Sequence, residues 1–173
     1  MALLIAMAGL PASGKSTIAR ELAARTCAVW LRVDSMDQAI WASGTAPKDL
    51  RDWTYRAAQA VAVDNLSLGR DVIADCVNDW QGARDGWEAV AKAAGAGITW
   101  IEVVCADAAE HRRRVETREV NIPGLPLPDW AAVTGREYHP WDRERVVIDT
   151  GHRPLEACVA EALAALADRR QAP

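Results

Sequence analysis

The residues with the most chemical content form one run: Gly9-Leu10-Pro11-Ala12-Ser13-Gly14-Lys15-Ser16, followed by Thr17. The run fits G-x-x-x-x-G-K-[ST], the phosphate-binding P-loop. In such a loop, backbone N–H groups and a helix dipole converge on anionic oxygens with little help from side chains. Gly9, Pro11, Ala12, Ser13, Gly14, Lys15, Ser16 and Thr17 are therefore the candidate nucleotide contacts. Lys15 would reach the β- and γ-phosphates as a mobile point charge, and Ser16 would offer its hydroxyl to Mg²⁺. An ordinary glycine turn before a helix is the plain alternative. The apolar run Ala2–Ala8 before it and the helix-like Lys15–Leu22 after it argue for the P-loop. The expected cofactors are ATP and Mg²⁺, with no clear guanine-reading motif to point to GTP.

Acids and arginines supply the rest of the chemistry. Asp34 closes the second apolar run, and Asp37 lies three positions on, on one face if a helix follows. In a P-loop fold that edge lies beside the γ-phosphate, where a carboxylate can take the proton of an attacking hydroxyl. Alternatively, Asp34 caps a helix beginning at Ser35 and Asp37 is a solvated first-turn acid. Asp75 ends the third run and resembles a Walker-B carboxylate that holds Mg²⁺ through water. It could instead bind substrate or fix the loop before Asn78 and Asp79. In His111–Arg118, Arg114 and Arg118 are four apart and would share a helix face. The Pro/Gly-rich stretch Asn121–Asp129 is too long for a tight turn and reads as a lid. Closing arginines over ATP would neutralise the transferring phosphoryl group and exclude water. The plain alternative is a solvated basic helix paired with Glu110, Glu116 and Glu119. Arg136 lies beyond the lid as a further candidate. His111 and His139 read as surface or packing residues.

These groups need a scaffold that brings them to one edge. Apolar strands alternate with helical segments: Ala2–Ala8, Ala28–Val33, Asp71–Asp75, Ile98–Val104 and Arg145–Asp149 read as strands. A short helix is expected from about Ser35 to Trp41. A longer one opens at Pro47 with Leu50, Trp53, Ala57, Val61 and Leu68 on its inward stripe, and ends at Gly69. Trp87, Val90 and Ala94 mark a helix running to Gly95, and Asp107 can cap a basic helix reaching about Glu119. The last helix starts at Pro154 and carries Leu155, Val159, Leu163 and Leu166 inward. Repeated β–α units imply a parallel sheet covered on both faces, with function at the carboxyl ends of its strands.

Composition bounds the class. A chain of 173 residues, half of them apolar, suits one globular domain. The net charge of −4 gives no support to a broad nucleic-acid-binding surface, though a local basic cluster could hold a strand end. No apolar run is long enough to span a membrane. Met1–Leu10 lacks a basic start and a cleavage site, so it does not read as a signal peptide. Cys27, Cys76, Cys105 and Cys158 form no CxxC pair and read as buried free thiols of a cytoplasmic protein. Eight Trp without Phe is unusual, and some could line a pocket.

Gly9 to Thr17, Val33-Asp34-Ser35, the strand ending at Asp75, the Arg-rich helix and Val147-Ile148-Asp149-Thr150 together resemble the small P-loop kinases. That group includes chloramphenicol phosphotransferase, gluconate kinase, the zeta-toxin kinases and the kinase domain of polynucleotide kinase. Many bacterial relatives carry the label AAA-family ATPase. The resemblance covers nearly the whole chain, and the P-loop is its specific part. Val33-Asp34-Ser35 is most similar to chloramphenicol phosphotransferase, which implies for Asp34 the role of base toward a substrate hydroxyl. The resemblance also implies strand three beside strand one. Adenine would lie between lid-side arginines, Arg118 among them, and the loop Thr150-Gly151-His152-Arg153. No second arginine finger, sensor segment or helical lid domain of a ring-forming motor is present in the sequence.

The expectation is a three-layer α/β P-loop fold, a five-stranded parallel sheet of order 2-3-1-4-5 with an Arg-bearing lid at about 112–140. The expected activity moves the ATP γ-phosphate onto a hydroxyl of a small molecule, with Lys15, Asp34, Arg114 and Arg118 catalytic. Asp34, Asp37, Asp75, Asn78, Trp80 and Arg136 are the candidate acceptor contacts, and Ser16 and Asp75 the candidate metal contacts. Trp41, Trp53 and Trp80 could wall the acceptor, with Trp53 read by default as core. Two rivals stand beside this reading. One is a polynucleotide 5′-hydroxyl kinase; the other is a nucleotide-binding regulatory or toxin-associated ATPase that phosphorylates no free metabolite.

Overall fold

Parallel pairing of the strands fixes where the chemistry can sit. In the computed structural model, which describes residues 1–44, 51–119 and 121–171, the strands are β1 (Leu3–Ala8), β2 (Val29–Arg32), β3 (Val72–Asp75), β4 (Gly97–Val104) and β5 (Val146–Asp149). They form one sheet in the order β2-β3-β1-β4-β5, every pair parallel, which is the expected order. A parallel sheet must be covered on both faces, and all residues of the central strand β1 are buried. Leu4 and Ala6 face a core with Leu31, Ala58, Trp87 and Trp100, beneath α3 (Arg51–Ser67) and α4 (Gln81–Ala94). Leu3, Ile5 and Met7 face the other way, toward Ile18, Leu22, Ile101 and Val159, beneath α1 (Lys15–Thr26) and α7 (Leu155–Gln171). Period-2 alternation along β1 thus feeds two separate cores. The remaining helices are α2 (Val33–Ala42), α5 (Ala108–Thr117) and α6 (Trp130–Thr134). Among the described residues, no helix is long and apolar enough to cross a membrane.

Four expectations need correction. Strand two stops at Arg32, not Asp34, because its last partner on β3 is Asp75 opposite Arg32. With no further partner, the chain turns at once into α2, so Asp34 lies in a helical first turn and is neither a strand end nor an N-cap. The inward stripe on α3 is also different. Trp53 and Leu68 are 66% and 74% exposed, Ala57 and Val61 are exposed, and Tyr55, Ala58, Ala62 and Leu66 face the sheet instead. On the buried face Ala58 and Ala62 join the core and Tyr55 packs on Trp80 and Trp87, which sets the rotation of the helix; Pro47 and Leu50 lie outside the described residues. Leu155 is exposed at the start of α7, while Val159 and Leu166 are buried as expected. Cys27 is exposed at the left-handed end of α1, whereas Cys76, Cys105 and Cys158 are buried thiols.

One buried charge ties the core beneath α3 and α4 to the loops at the sheet edge. Arg84 of α4 is fully buried and donates from Nε to the Asn78 carbonyl, from Nη1 to Pro140 and from Nη2 to His139, at 3.0, 2.8 and 2.9 Å. Its guanidinium lies 4.0 Å from the centroid of Trp141. The contact fastens the segment after α6 onto α4.

The packing assigns opposite outcomes to two tryptophans. Trp53→Gln should change unfolding free energy by no more than about 0.5 kcal/mol. Trp87→Ala, at a side chain with no exposure, should cost about 3–5 kcal/mol. Urea midpoints of both variants check this.

Candidate active site

The loop between β1 and α1 is built for close approach to its neighbours. Gly9 has φ +135°, and a Cβ there would stand 2.1 Å from the Val103 carbonyl oxygen. Its N–H donates to the Val77 carbonyl at 3.1 Å. Gly14, in the left-handed region, is the N-cap of α1, and no side chain caps that helix. The orphan N–H groups of the first turn are left for a ligand. The Ser13 hydroxyl is buried and has no partner in the described structure.

Behind the loop, one carboxylate gathers three donors. Asp75 Oδ1 accepts from Lys15 Nζ at 3.0 Å and from Ser16 Oγ at 3.1 Å. Its Oδ2 accepts from Trp30 Nε1 at 3.2 Å. Lys15 is buried, which pulls its pKa down, but the carboxylates of Asp75 and Asp34 more than offset this and raise it above the ordinary value. The pairing favours the charged ammonium, which rests against Asp75 in this structure.

The cleft in front of the loop has a volume of about 660 Å³. Lys15, Ser16, Asp34, Asp37, Arg118 and Arg136 all line it, as do Trp41 and the Leu125–Pro128 segment. Asp34 and Asp37 both reach it from α2, as their spacing suggested. Burial raises the Asp37 pKa, opposed by a hydrogen bond from Thr54 and reinforced by the Asp34 charge, and its Oδ1 has no partner among the described residues. Arg118 stands across from them. Burial lowers its pKa, the Asp34 charge resists that, and its Nε is likewise unpartnered.

The two lid arginines both line the cleft, but they are held differently. Helix α5 ends at Thr117, so Arg118 is its extended C-cap and Arg114 stays inside the helix. Arg114 is fully engaged: Nε meets Glu110, while Nη1 and Nη2 donate to the Thr150 hydroxyl and carbonyl at 2.7 and 2.9 Å. It ties α5 to the loop after β5. Thr150 Oγ1 in turn lies 2.8 Å from the Ser13 carbonyl, so the P-loop, α5 and the β5 loop form one latched unit. Arg112 and Arg113 pair with Glu116 and Glu110 at the surface. Arg153 lines the cleft but is held by Glu161 and the Asp149 carbonyl, and Arg136 by Asp79 at 2.7 Å.

Asn78 and Trp80 are not presented to the cleft. Asn78 is buried with φ +51°; its Nδ2 donates to the Met7 carbonyl at 2.7 Å and its Oδ1 accepts from Trp87 Nε1 at 3.1 Å. It locks the turn after β3 instead of reading an acceptor. Trp80 packs on Tyr55, ring centroids 5.0 Å apart, and precedes α4. Trp53 faces solvent, and Trp41 lines the cleft.

Three contributors went unread in the sequence. Arg32 lines the cleft two residues before Asp34 and donates to Asn121 Oδ1 at 2.9 Å; its place at a strand's carboxyl end was the available signal. Trp30 and His111 had none. His111 is buried, as a packing residue should be, but its Nε2 also sits 2.8 Å from the Pro11 carbonyl and its ring stands edge-on to Trp130.

The donor set fits a magnesium nucleotide. A helix start without a side-chain cap, two glycines at positive φ, a Ser13 hydroxyl without a partner among the described residues and a buried ammonium suit phosphate oxygens. Ser16 and Asp75 would face the metal, and no group of three His, Cys, Asp or Glu able to hold a metal occurs among the described residues. Mg²⁺ commonly keeps waters and binds through few protein ligands plus phosphates.

Fold and site together define a small P-loop kinase-type nucleotide-binding fold. Residues 4–128 match the AAA domain family, and the chain belongs to it. No curated protein sequence matches. Among solved structures, a sugar kinase from Janibacter sp. HTCC2649 aligns with TM-score 0.68 at 18% identity, over 96% of this chain and 95% of that one. A gluconokinase from Sinorhizobium meliloti 1021 aligns with TM-score 0.65 at 19% identity, over 95% and 91%. The Mycobacterium tuberculosis APS kinase, solved with AMPPNP and APS, aligns with TM-score 0.68 at 16% identity, over 96% and 98%. At these identities the likeness is one of fold.

Two substitutions probe this architecture. Gly9→Ala should destabilise the protein by on the order of 3–5 kcal/mol, because the new methyl group meets backbone and φ is unfavourable; thermal and urea unfolding measure it. Asp37→Asn should raise stability at pH 7. The folded pKa of Asp37 lies above its unfolded value, so its contribution to stability is full below the unfolded pKa and falls as pH rises through the folded pKa. The gap between variant and parent should close as pH drops below the carboxylate range, and urea titrations across pH read it.

Proposed function

We propose that the protein is an ATP-dependent phosphotransferase that moves the γ-phosphoryl group onto a hydroxyl of a small molecule. The observation that carries this reading is one cleft lined by the P-loop, by a carboxylate pair and by Arg118, whose Nε has no partner among the described residues. A bare ATP-binding regulator needs the P-loop and has no evident use for the carboxylate pair. The fold neighbours named as kinases of sugars, gluconate and APS support the same class.

In the proposed reaction, Lys15 leaves Asp75 and follows the β- and γ-oxygens. Mg²⁺ bound beside Ser16 and Asp75 would supply charge neutralisation on those oxygens. Asp34 orients the acceptor hydroxyl and takes its proton as the new O–P bond forms and the bond to the ADP oxygen breaks. Arg118 meets the charge spread over the equatorial oxygens of the loose transition state. Arg114 and Thr150 hold the loop beside the nucleotide instead of touching the reacting atoms, and Arg153 borders the same side. The Leu125–Pro128 stretch closes over the site and excludes water, so that ATP is not spent on hydrolysis.

We assign the whole chain to one catalytic domain and place it in the cytoplasm, where ATP is available and the free thiols stay reduced. The acidic balance, net charge −4, argues against a nucleic-acid acceptor.

The test is transfer of label from γ-labelled Mg·ATP into a mixed library of antibiotics, sugars, nucleosides and 5′-hydroxyl oligonucleotides. Asp34→Asn should lower transfer about 10²–10⁴-fold while the affinity for Mg·AMPPNP stays within a few-fold. Label appearing only as free phosphate, at equal rates in both proteins, would instead identify a nucleotide-binding ATPase. Label confined to oligonucleotides would identify an end-processing kinase.

A further inference from the structure

Among the described residues, the charges around the cleft leave one cation without a carboxylate partner or an assigned task. Arg113 and Arg114 are committed to Glu110, Arg136 to Asp79, Arg153 to Glu161 and Lys15 to Asp75. Arg118 feels the Asp34 carboxylate and has its place on the transferring group. Arg32 has no carboxylate partner among the described residues. Its one hydrogen bond there runs from Nη2 to the neutral amide oxygen of Asn121, its Nε is buried without an acceptor, and its guanidinium lies 5.7 Å above the Trp30 ring. A guanidinium so placed has an unfilled capacity for anionic oxygens, and its fork suits two of them at once.

The position of Arg32 matters as much as its freedom. It ends β2 at the carboxyl edge of the sheet and lines the same cleft as Asp34, Asp37 and Trp41, all on the helix that follows. This is the acceptor half, on the α2 side of the P-loop. Asp34 and Asp37 offer carboxylates to hydroxyl protons, and the Asp37 Oδ1 is unpartnered. A neutral acceptor would satisfy the acids and leave Arg32 unused.

We propose that the acceptor is an anionic hydroxyl compound, whose carboxylate or phosphate oxygens are held by the Arg32 guanidinium while its hydroxyl lies at Asp34. The proposal rests on the kinase reading for the identity of that half of the cleft. Asn121 positions the guanidinium from the lid side, and Trp30 supports it from the sheet. Arg32 is then a specificity-determining residue that selects charge at a distance from the reacting oxygen. The shared chemistry is a pair of anionic oxygens, whether they come from a carboxylic acid or a phosphomonoester.

The test measures binding, not turnover, on protein saturated with Mg·AMPPNP so that the P-loop cannot itself take up the anion. Matched triplets of carboxylate, phosphomonoester and neutral alcohol, on open-chain polyol, nucleoside and phenyl frames, are titrated by calorimetry. In at least one frame an anionic member should bind at least about tenfold more tightly than its neutral counterpart, and Arg32→Gln should remove that preference. Arg32→Lys, which keeps the charge and loses the fork, should restore part of it. Which anionic member wins separates the two sources. Neutral members binding as tightly as anionic ones would overturn the proposal, as would an unchanged preference in folded Arg32→Gln, or no anion binding in any frame. Transfer assays on the same triplets keep the two readings apart. Transfer without charge preference sinks this proposal and keeps the kinase, while Arg32-dependent anion binding without transfer does the reverse.

Discussion

A buried ion pair organises this protein. Lys15 and Asp75 lie 60 residues apart in sequence and 3.0 Å apart in space, both almost wholly out of solvent. Neither charge could stay there alone, since removing an ion from water is costly unless a partner and hydrogen bonds compensate. Ser16 and Trp30 supply further hydrogen bonds to the same carboxylate. Sheet register makes the meeting possible: Asp75 sits opposite Met7 at the end of β1 and opposite Arg32 at the end of β2. The site therefore depends on three strands ending together.

Around that pair, the loops at the sheet's carboxyl edge are held by side chains from distant segments. Thr150 and Arg114 bind the P-loop, α5 and the β5 loop together. His111 steadies the P-loop from α5 through the Pro11 carbonyl. On the opposite flank, Asn78 and Arg84 fasten the turn after β3 and the segment around Pro140. A phosphate cradle works only if its donors are already aimed, because reorganising them during reaction would forfeit the electrostatic gain. These fastenings provide that alignment from outside the cleft, and they leave Asp34, Asp37, Arg32 and Arg118 facing it.

The parallel sheet and the P-loop were legible in the chain, and the strand order followed from the resemblance to the small P-loop kinases; Asp34, Asp37, Lys15 and Ser16 line one cleft at the expected edge. Uninterrupted apolar runs separated by helical segments allow few arrangements other than a doubly covered parallel sheet. Errors gathered where several local patterns were compatible. On α3 the bulkier apolar residues looked like the buried face, yet Tyr55, Ala58, Ala62 and Leu66 are the ones that fit against α4 and the sheet. Asn78 and Trp80 followed a strand end, where acceptor contacts are common, but were taken up in fastening the turn. Arg114 and Arg118 were equal candidates by spacing until α5 stopped between them.

The sequence by itself determined what depends on neighbours along the chain. The phosphate loop needs eight contiguous residues with particular backbone freedoms, and Gly9 and Gly14 state those freedoms outright. Helix caps such as Asp107 are equally local, reaching three residues to the Glu110 N–H. Tertiary structure alone decided which arginines are spent and which are free. An ion pair such as Arg136–Asp79 joins residues 57 positions apart, and Arg32 is set apart because no carboxylate among the described residues reaches it. Charges act through space and screen one another by proximity, so their roles exist only after the chain has folded.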